Sequence, residues 1–130
     1  MPHILIVDDD PDACEVATRL LAQDGYEVRS VPNGREALAE LVSDTPDLVL
    51  LDLRMPEMDG LTLLEVIRSY LRWSELPVII VTAYANDPSA TRAAQLGVKH
   101  VFAKANYRLE DLLARVREYV PPPGQPVSNA

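Results

Sequence analysis

Asp8, Asp9 and Asp10 stand together directly after the apolar run at residues 4–7. Asp52 follows the apolar run 48–51, Thr82 follows 78–81, and Lys104 closes the stretch 98–103. Carboxylates gathered in one place repel, and some must hold protons unless a counter-charge is present. A hard dication relieves that repulsion, and oxygen donors with room left for water suit Mg²⁺. Beside such a cation a carboxylate can attack phosphorus and form an acyl phosphate. A neighbouring ammonium and hydroxyl would contact the phosphoryl oxygens. Singly, each residue has a plainer role: Asp10 caps a helix, Asp52 lies in a loop, Thr82 in a turn and Lys104 in solvent. Their joint occurrence at the ends of apolar runs is what points to one site.

The elements that must position them alternate along the chain. Residues 4–7, 48–51 and 78–81 are apolar throughout and read as strands buried on both faces. Residues 26–31 alternate loosely as a fourth strand, and 98–103 form a last short one. Between them run helical patterns. The first, residues 11–24, carries Ala13, Ala17, Leu20 and Leu21 and is stopped by Gly25. The second opens at Asn33-Gly34 and runs to about Ser43, with Ala37, Leu38 and Leu41 inward. The third follows Asp59, a suitable N-cap, with Leu61, Leu64, Ile67 and Leu71 on one stripe. The fourth begins at Asp87-Pro88 and ends at Gly97, and the fifth carries Leu109, Leu112, Leu113, Val116 and Val120. Five strand–helix units of this kind predict an α/β fold, a doubly wound parallel sheet with helices on both faces. Ligands bind such sheets beyond the carboxyl ends of the strands, where all the polar residues above are placed.

The bulk properties set limits. The chain has 130 residues, which fits one domain, and 48% hydrophobic content, enough for a packed core. A net charge of −8 disfavours a nucleic-acid surface or an anionic membrane as partner. Cys14 is the single cysteine, so neither an internal disulfide nor a cysteine-based metal site is expected. The start lacks a basic segment followed by a long apolar run, so a soluble cytoplasmic protein is expected. The run Pro121-Pro122-Pro123-Gly124-Gln125-Pro126 cannot continue a helix. The expected division is a domain over residues 1–120 and a Pro-rich tail or linker over 121–130.

On these stretches the sequence resembles the response-regulator receiver family of two-component signalling. The stretches are Ile4 to Asp10, Asp47 to Gly60, Pro77 to Ala83, and Ala103-Lys104 after Gly97. The resemblance implies a flavodoxin-like five-stranded sheet of order 2-1-3-4-5 with five helices. It implies that Asp52 is the phosphoacceptor, Asp9 a direct Mg²⁺ ligand and Asp8 a ligand through water. Arg54 would offer its backbone carbonyl to the metal, Thr82 would be the switch hydroxyl, and Lys104 would pair with a phosphoryl oxygen. The implied partners are a sensor histidine kinase or phosphotransfer protein, and a downstream protein target or fused effector domain. The implied role is that of a phosphoprotein switch and not an enzyme.

Two positions depart from the family pattern. Ala105 follows the lysine where the family usually has a proline after a cis bond, and Val101 stands where it usually has an aromatic residue. Either the 104–105 bond is cis and strained, or it is trans and the loop differs. Phe102 is expected to face the core. An aromatic rotation at position 101 is excluded, leaving a smaller movement near Tyr84 and Tyr107. Tyr84 is also bulky enough to shield an acyl phosphate from water. Two other functions compete. A phosphohydrolase with an aspartyl phosphate would need a second Asp where Arg54 stands, and a cap domain. A phosphorylation-independent receiver-like protein-binding module would not need the complete set Asp8, Asp9, Asp52, Thr82 and Lys104.

Overall fold

A computed structural model of the protein describes residues 2–55, 58–83 and 88–123. Strand β1 (His3–Val7) leads into helix α1 (Pro11–Gln23), then β2 (Glu27–Val31), α2 (Gly34–Ser43) and β3 (Leu48–Leu51). Helix α3 (Gly60–Ser69) and a 3-10 turn (Leu71–Trp73) precede β4 (Val78–Thr82), α4 (Pro88–Gln95), β5 (Val101–Ala103) and α5 (Leu109–Tyr119). All strand pairs are parallel and the order is β2-β1-β3-β4-β5. The expected flavodoxin-like architecture, α/β with five α-helices, is what these described residues form.

The strand alternation divides the core in two. Leu5, Val7, Val49, Leu51, Val78 and Ile80 point to the face covered by α2, α3 and α4. Ile4, Ile6, Leu48, Leu50 and Ile79 point to the face covered by α1 and α5. Because β1, β3 and β4 are covered on both sides, they are continuous apolar runs except for His3 at the start of β1 and Thr82 at the end of β4. Helix starts follow local chemistry. Asp10, Asn33 and Asp59 each accept a backbone N–H of the first turn, from Asp12, Glu36 and Thr62. Gly25 and Gly97 end α1 and α4 at φ +94° and +89°, where other residues are strained.

Two apolar residues, Leu71 and Leu109, lie elsewhere than expected. Leu71 is 92% exposed, because Tyr70 leaves the helix with an extended backbone and the chain enters the 3-10 turn. Leu109 is 42% exposed at the first position of α5. Trp73 is part of the larger core, and its indole N–H donates to Thr45 Oγ1 at 3.3 Å. The last strand begins at Val101, later than expected, because Val98 still closes the turn after α4 through its N–H to Ala93 O.

Arg68 joins three segments through their backbone carbonyls. Its guanidinium donates to the carbonyls of Leu96 (2.7 Å), Trp73 (3.1 Å) and Leu76 (2.7 Å). The end of α3, the connection to β4 and the end of α4 are thereby held together. Arg68→Met is expected to lose about 2 kcal/mol, since it leaves these carbonyls without their charged donor. Urea denaturation measures this, and an unchanged midpoint would show that water replaces the guanidinium fully.

Near the C-terminus, Tyr26 OH donates to Val120 O and Arg117 makes a bidentate pair with Asp24 at 2.9 and 2.7 Å. Pro122 is buried, and Pro123 lies against Gly25. Pro122 and Pro123 thus pack on the domain, while Pro121 is exposed.

Candidate functional site

The site forms at the carboxyl ends of β1 and β3. Those strands are neighbours in the sheet, and the chain reverses its direction of winding between them. Val7 and Leu51 are register partners, so Asp8 and Asp52 emerge side by side. The Asp52 amide donates to Val7 O at 2.9 Å and the Asp8 amide to Val31 O at 3.1 Å. Both carboxylates are therefore carried on paired strand ends rather than on free loops.

Asp8, Asp9 and Asp52 offer oxygens that all lie within 4.8 Å of one another. Asp8 and Asp52 are buried at 6% and 4% exposure, while Asp9 is exposed. Lys104, on the loop after β5, reaches across both buried acids. Its Nζ lies 2.8 Å from Asp8 Oδ2 and 3.2 Å from Asp52 Oδ2. The Lys104 amide donates to Thr82 O at 2.8 Å, which ties the lysine to the end of β4. Thr82 is fully buried at that strand end, in register with Ala103. Asp52 Oδ1 also accepts the Arg54 amide at 3.2 Å, so the backbone directly after β3 turns back toward the Asp52 carboxylate.

The charges are not balanced. Two buried carboxylates face one ammonium. Burial pushes the Asp8 carboxyl up to about 6, and the Asp52 charge adds to this; the Lys104 ammonium and the Asp10 N–H oppose it. Burial acts to lower Lys104, but the carboxylates of Asp8 and Asp52 outweigh it and hold the ammonium above its ordinary value. Burial also pushes the Cys14 thiol up to about 11, with Asp8 adding to the effect. Cys14 is half-buried and donates its S–H to Asp8 O at 3.4 Å.

The donor set suits a hard dication: all ligand atoms are oxygens, one acid is open to solvent, and the buried pair carries excess negative charge. An open groove of about 630 Å³ runs from Asp8 and Asp9 along α1 to Ser30 and Val31. The sequence thus placed Asp8, Asp9, Asp52, Thr82 and Lys104 at one edge of the sheet, and the fold brings them together there. Arg54 is beside them through its backbone.

The chain matches the model of the response regulator receiver domain over residues 4–117. It belongs to the response regulator receiver family. It is 39% identical over 115 residues to the response regulator MprA of Mycolicibacterium vanbaalenii, covering 88% of this chain and 48% of that protein. It is 34% identical over 117 residues to the DNA-binding dual master transcriptional regulator RpaA of Synechocystis, covering 90% of this chain and 48% of that protein. The receiver domain therefore spans about half the length of these relatives. Among solved structures, a response regulator receiver domain protein of Methanospirillum hungatei superposes with a TM-score of 0.83 at 30% identity. That match covers 91% of this chain and 92% of the other. Receiver domains are signalling domains of two-component systems, and phosphorylation is the family's role.

The two departures from the family pattern have structural outcomes. The peptide bond between Lys104 and Ala105 is trans, and the lysine still reaches both acids. Val101 packs against the core beneath α2–α4, while Phe102 is half-buried on the opposite face with its ring edge-on to Tyr107, 5.7 Å between centroids. Tyr84 and Asp87 lie outside the described residues, as do Pro56 and Glu57 of the Asp52–Gly60 stretch. Among the described residues, no helix is long and apolar enough to cross a membrane.

Proposed function

We propose that this receiver domain accepts a phosphoryl group on Asp52 from the phosphohistidine of a sensor histidine kinase or phosphotransfer protein. A carboxylate oxygen of Asp52 forms the new bond to phosphorus as the phosphorus–nitrogen bond of the donor breaks, and the donor imidazole keeps the electron pair. The observation that carries this reading is the contact of Lys104 with both Asp8 and Asp52, at 2.8 and 3.2 Å. It keeps an ammonium where phosphoryl oxygens would come to lie. Asp8, Asp9, Asp52 and the Arg54 carbonyl would hold Mg²⁺, which when bound supplies positive charge against the incoming phosphoryl oxygens. Asp8 would act through a water and Thr82 would donate its hydroxyl to the phosphoryl group.

The domain works as a switch in the cytoplasm, not as an enzyme. Its output is a change in binding at α4, β5 and α5. The recipient is a downstream protein or an effector domain fused beyond the Pro-rich segment. Residues 1–120 form the receiver and 121–130 a tail or linker, of which Pro122 and Pro123 rest on the domain. The alternative, a module that binds partners without phosphorylation, would leave the Lys104 bridge between the two acids without a use.

Intact-protein mass after incubation with acetyl phosphate tests the reading. Wild type is expected to gain one phosphoryl group when Mg²⁺ is present and none without it, and Asp52→Asn to gain none. Absence of any gain, from acetyl phosphate or from a phosphorylated sensor kinase, would overturn the proposal in favour of the phosphorylation-independent module.

A further inference from the structure

We infer that residues 120–123 are a strap that fastens the end of α5 to the turn between α1 and β2, so that the chain leaves the receiver through a fixed exit at Pro123. The inference goes beyond the reading of Asp52 as phosphoacceptor and does not depend on it.

Three consecutive residues of the turn each hold a residue of the C-terminal segment. Asp24 accepts both arms of the Arg117 guanidinium, at 2.9 and 2.7 Å, and that pair holds its carboxyl below the ordinary value. Gly25, at φ +94°, presents no side chain, and the ring of Pro123 rests on it. A Cβ there would lie 3.3 Å from Pro123 Cδ and 3.4 Å from Pro123 Cγ. Tyr26 donates its hydroxyl to Val120 O. Tyr26 and Val120 are both buried, in the core shared by α1 and α5. Pro122 is buried as well.

The chemistry of the segment suits this place. Helix α5 ends at Tyr119, and Val120 is extended, with its amide already donating to Val116 O at 2.9 Å. Pro121, Pro122 and Pro123 have no amide N–H. A buried stretch without a strand partner would normally leave donors unpaired, and this one has none to leave. Proline also has few conformations to lose, so fixing it costs less than fixing another residue. In water a free Pro-rich segment is an extended spacer. The contacts with Asp24, Gly25 and Tyr26 instead make the chain part of the fold as far as Pro123.

The strap lies at the start of β2, and Asp8 and Asp52 lie at the opposite end of the parallel sheet. Helix α5 thus begins on the Lys104 side and is anchored at its far end. Whatever follows Pro123 is joined to α5 with no free hinge before that point.

The test measures amide order parameters by NMR relaxation on the full chain. Wild type is compared with a double variant, Pro122→Ser with Pro123→Ser. In wild type the Val120 amide is expected to match Leu112, in the middle of α5, at about 0.85. In the double variant Val120 should fall below about 0.6 while Leu112 stays as it was. Order parameters report motion within the folded state, so a loss of overall stability does not mimic this result.

A low value at Val120 in wild type would overturn the inference. So would a wild-type value in the double variant, where the prolines would lie on the domain without holding it. A fall at both residues would overturn it too, since α5 would then be loosened as a whole. If the double variant does not fold, Tyr26→Phe takes its place and is read in the same way: it removes one hydroxyl and keeps the ring in the core.

Discussion

Gly60→Ala is expected to lose about 4 kcal/mol or more of folding stability, a large part of what a domain of this size has. Helix propensity alone would give the opposite sign, since alanine is favoured over glycine in helices. Contact decides the matter. A Cβ at Gly60 would fall 2.0 Å from Asp52 O, 2.7 Å from Leu53 Cα and 2.8 Å from Asp52 C. All three are backbone atoms. The Gly60 amide also donates to Leu53 O at 3.1 Å, so helix and strand end are bonded where they touch. Neither partner can retreat. Leu63, Leu64 and Ile67 fix α3 in the core with no exposure, and Leu51, just before Asp52, is equally buried. Relief would require opening the core or bending the end of β3, and the second would carry the Asp52 carboxylate away from Asp8 and Lys104. Urea denaturation followed by circular dichroism reads the stability, and phosphoryl uptake reads the site. A Gly60→Ala variant with the wild-type midpoint would show that α3 can slide on β3, against this account.

The close seating of α3 on β3 marks the limit of what the sequence conveys. Strands buried on both faces are continuous apolar runs, so β1, β3 and β4 were legible without any partner. Their polar ends were legible for the same reason: Asp8, Asp52 and Thr82 each interrupt a run where the sheet ends. Caps and stops are also local, which is why Asp10, Asp59, Gly25 and Gly97 fall where expected. Leu71 shows how periodicity fails. It continues the spacing of α3 by count, but the helix ends at Ser69, and an extended Tyr70 turns the next residue outward. Nothing within the stripe announces that break.

Other features depend on elements distant in sequence. Arg68 resembles any basic residue near a helix end, and only the fold brings Leu96 O beneath it. Gly34 looks like an ordinary helix start, and its contact with Met58 arises from the packing of α2 beside the β3–α3 loop. The reach of Lys104 was the open question in the sequence, because Ala105 follows it. A trans bond leaves that reach intact, since the Lys104 amide is already held by Thr82 O in continuation of the sheet.

Asp8→Asn is expected to raise stability at neutral pH in buffer free of divalent cations, and to lower the response to Mg²⁺. In the wild type, two buried carboxylates share one ammonium, and Asp8 is pushed up to about 6 by burial, with Asp52 adding to it. A carboxyl with a raised folded-state pKa binds its proton more tightly folded than unfolded. Below its ordinary value of 3.8 both states are protonated and the group is neutral in effect. As pH rises from there to about 6, the unfolded state releases the proton first, so stability falls; above that the penalty is complete. Asparagine does not titrate, can still accept from the Asp10 amide, and leaves Lys104 paired with Asp52 alone. The gain in urea midpoint should therefore be small at pH 3.5 to 4, grow through the interval, and level off above about 6. Mg²⁺ reverses the comparison. It binds only the folded state and stabilises by mass action, an effect that depends on the ligand that Asp8→Asn removes. Wild type should gain strongly from added Mg²⁺ and the variant little, with phosphoryl uptake falling in parallel. Parallel pH profiles for the two proteins in metal-free buffer would sink the idea that charge imbalance at Asp8 weakens the fold. If instead the profiles diverge and Mg²⁺ closes the gap, the instability of the empty site and its capacity for a dication have the same origin: one more buried negative charge than Lys104 can answer.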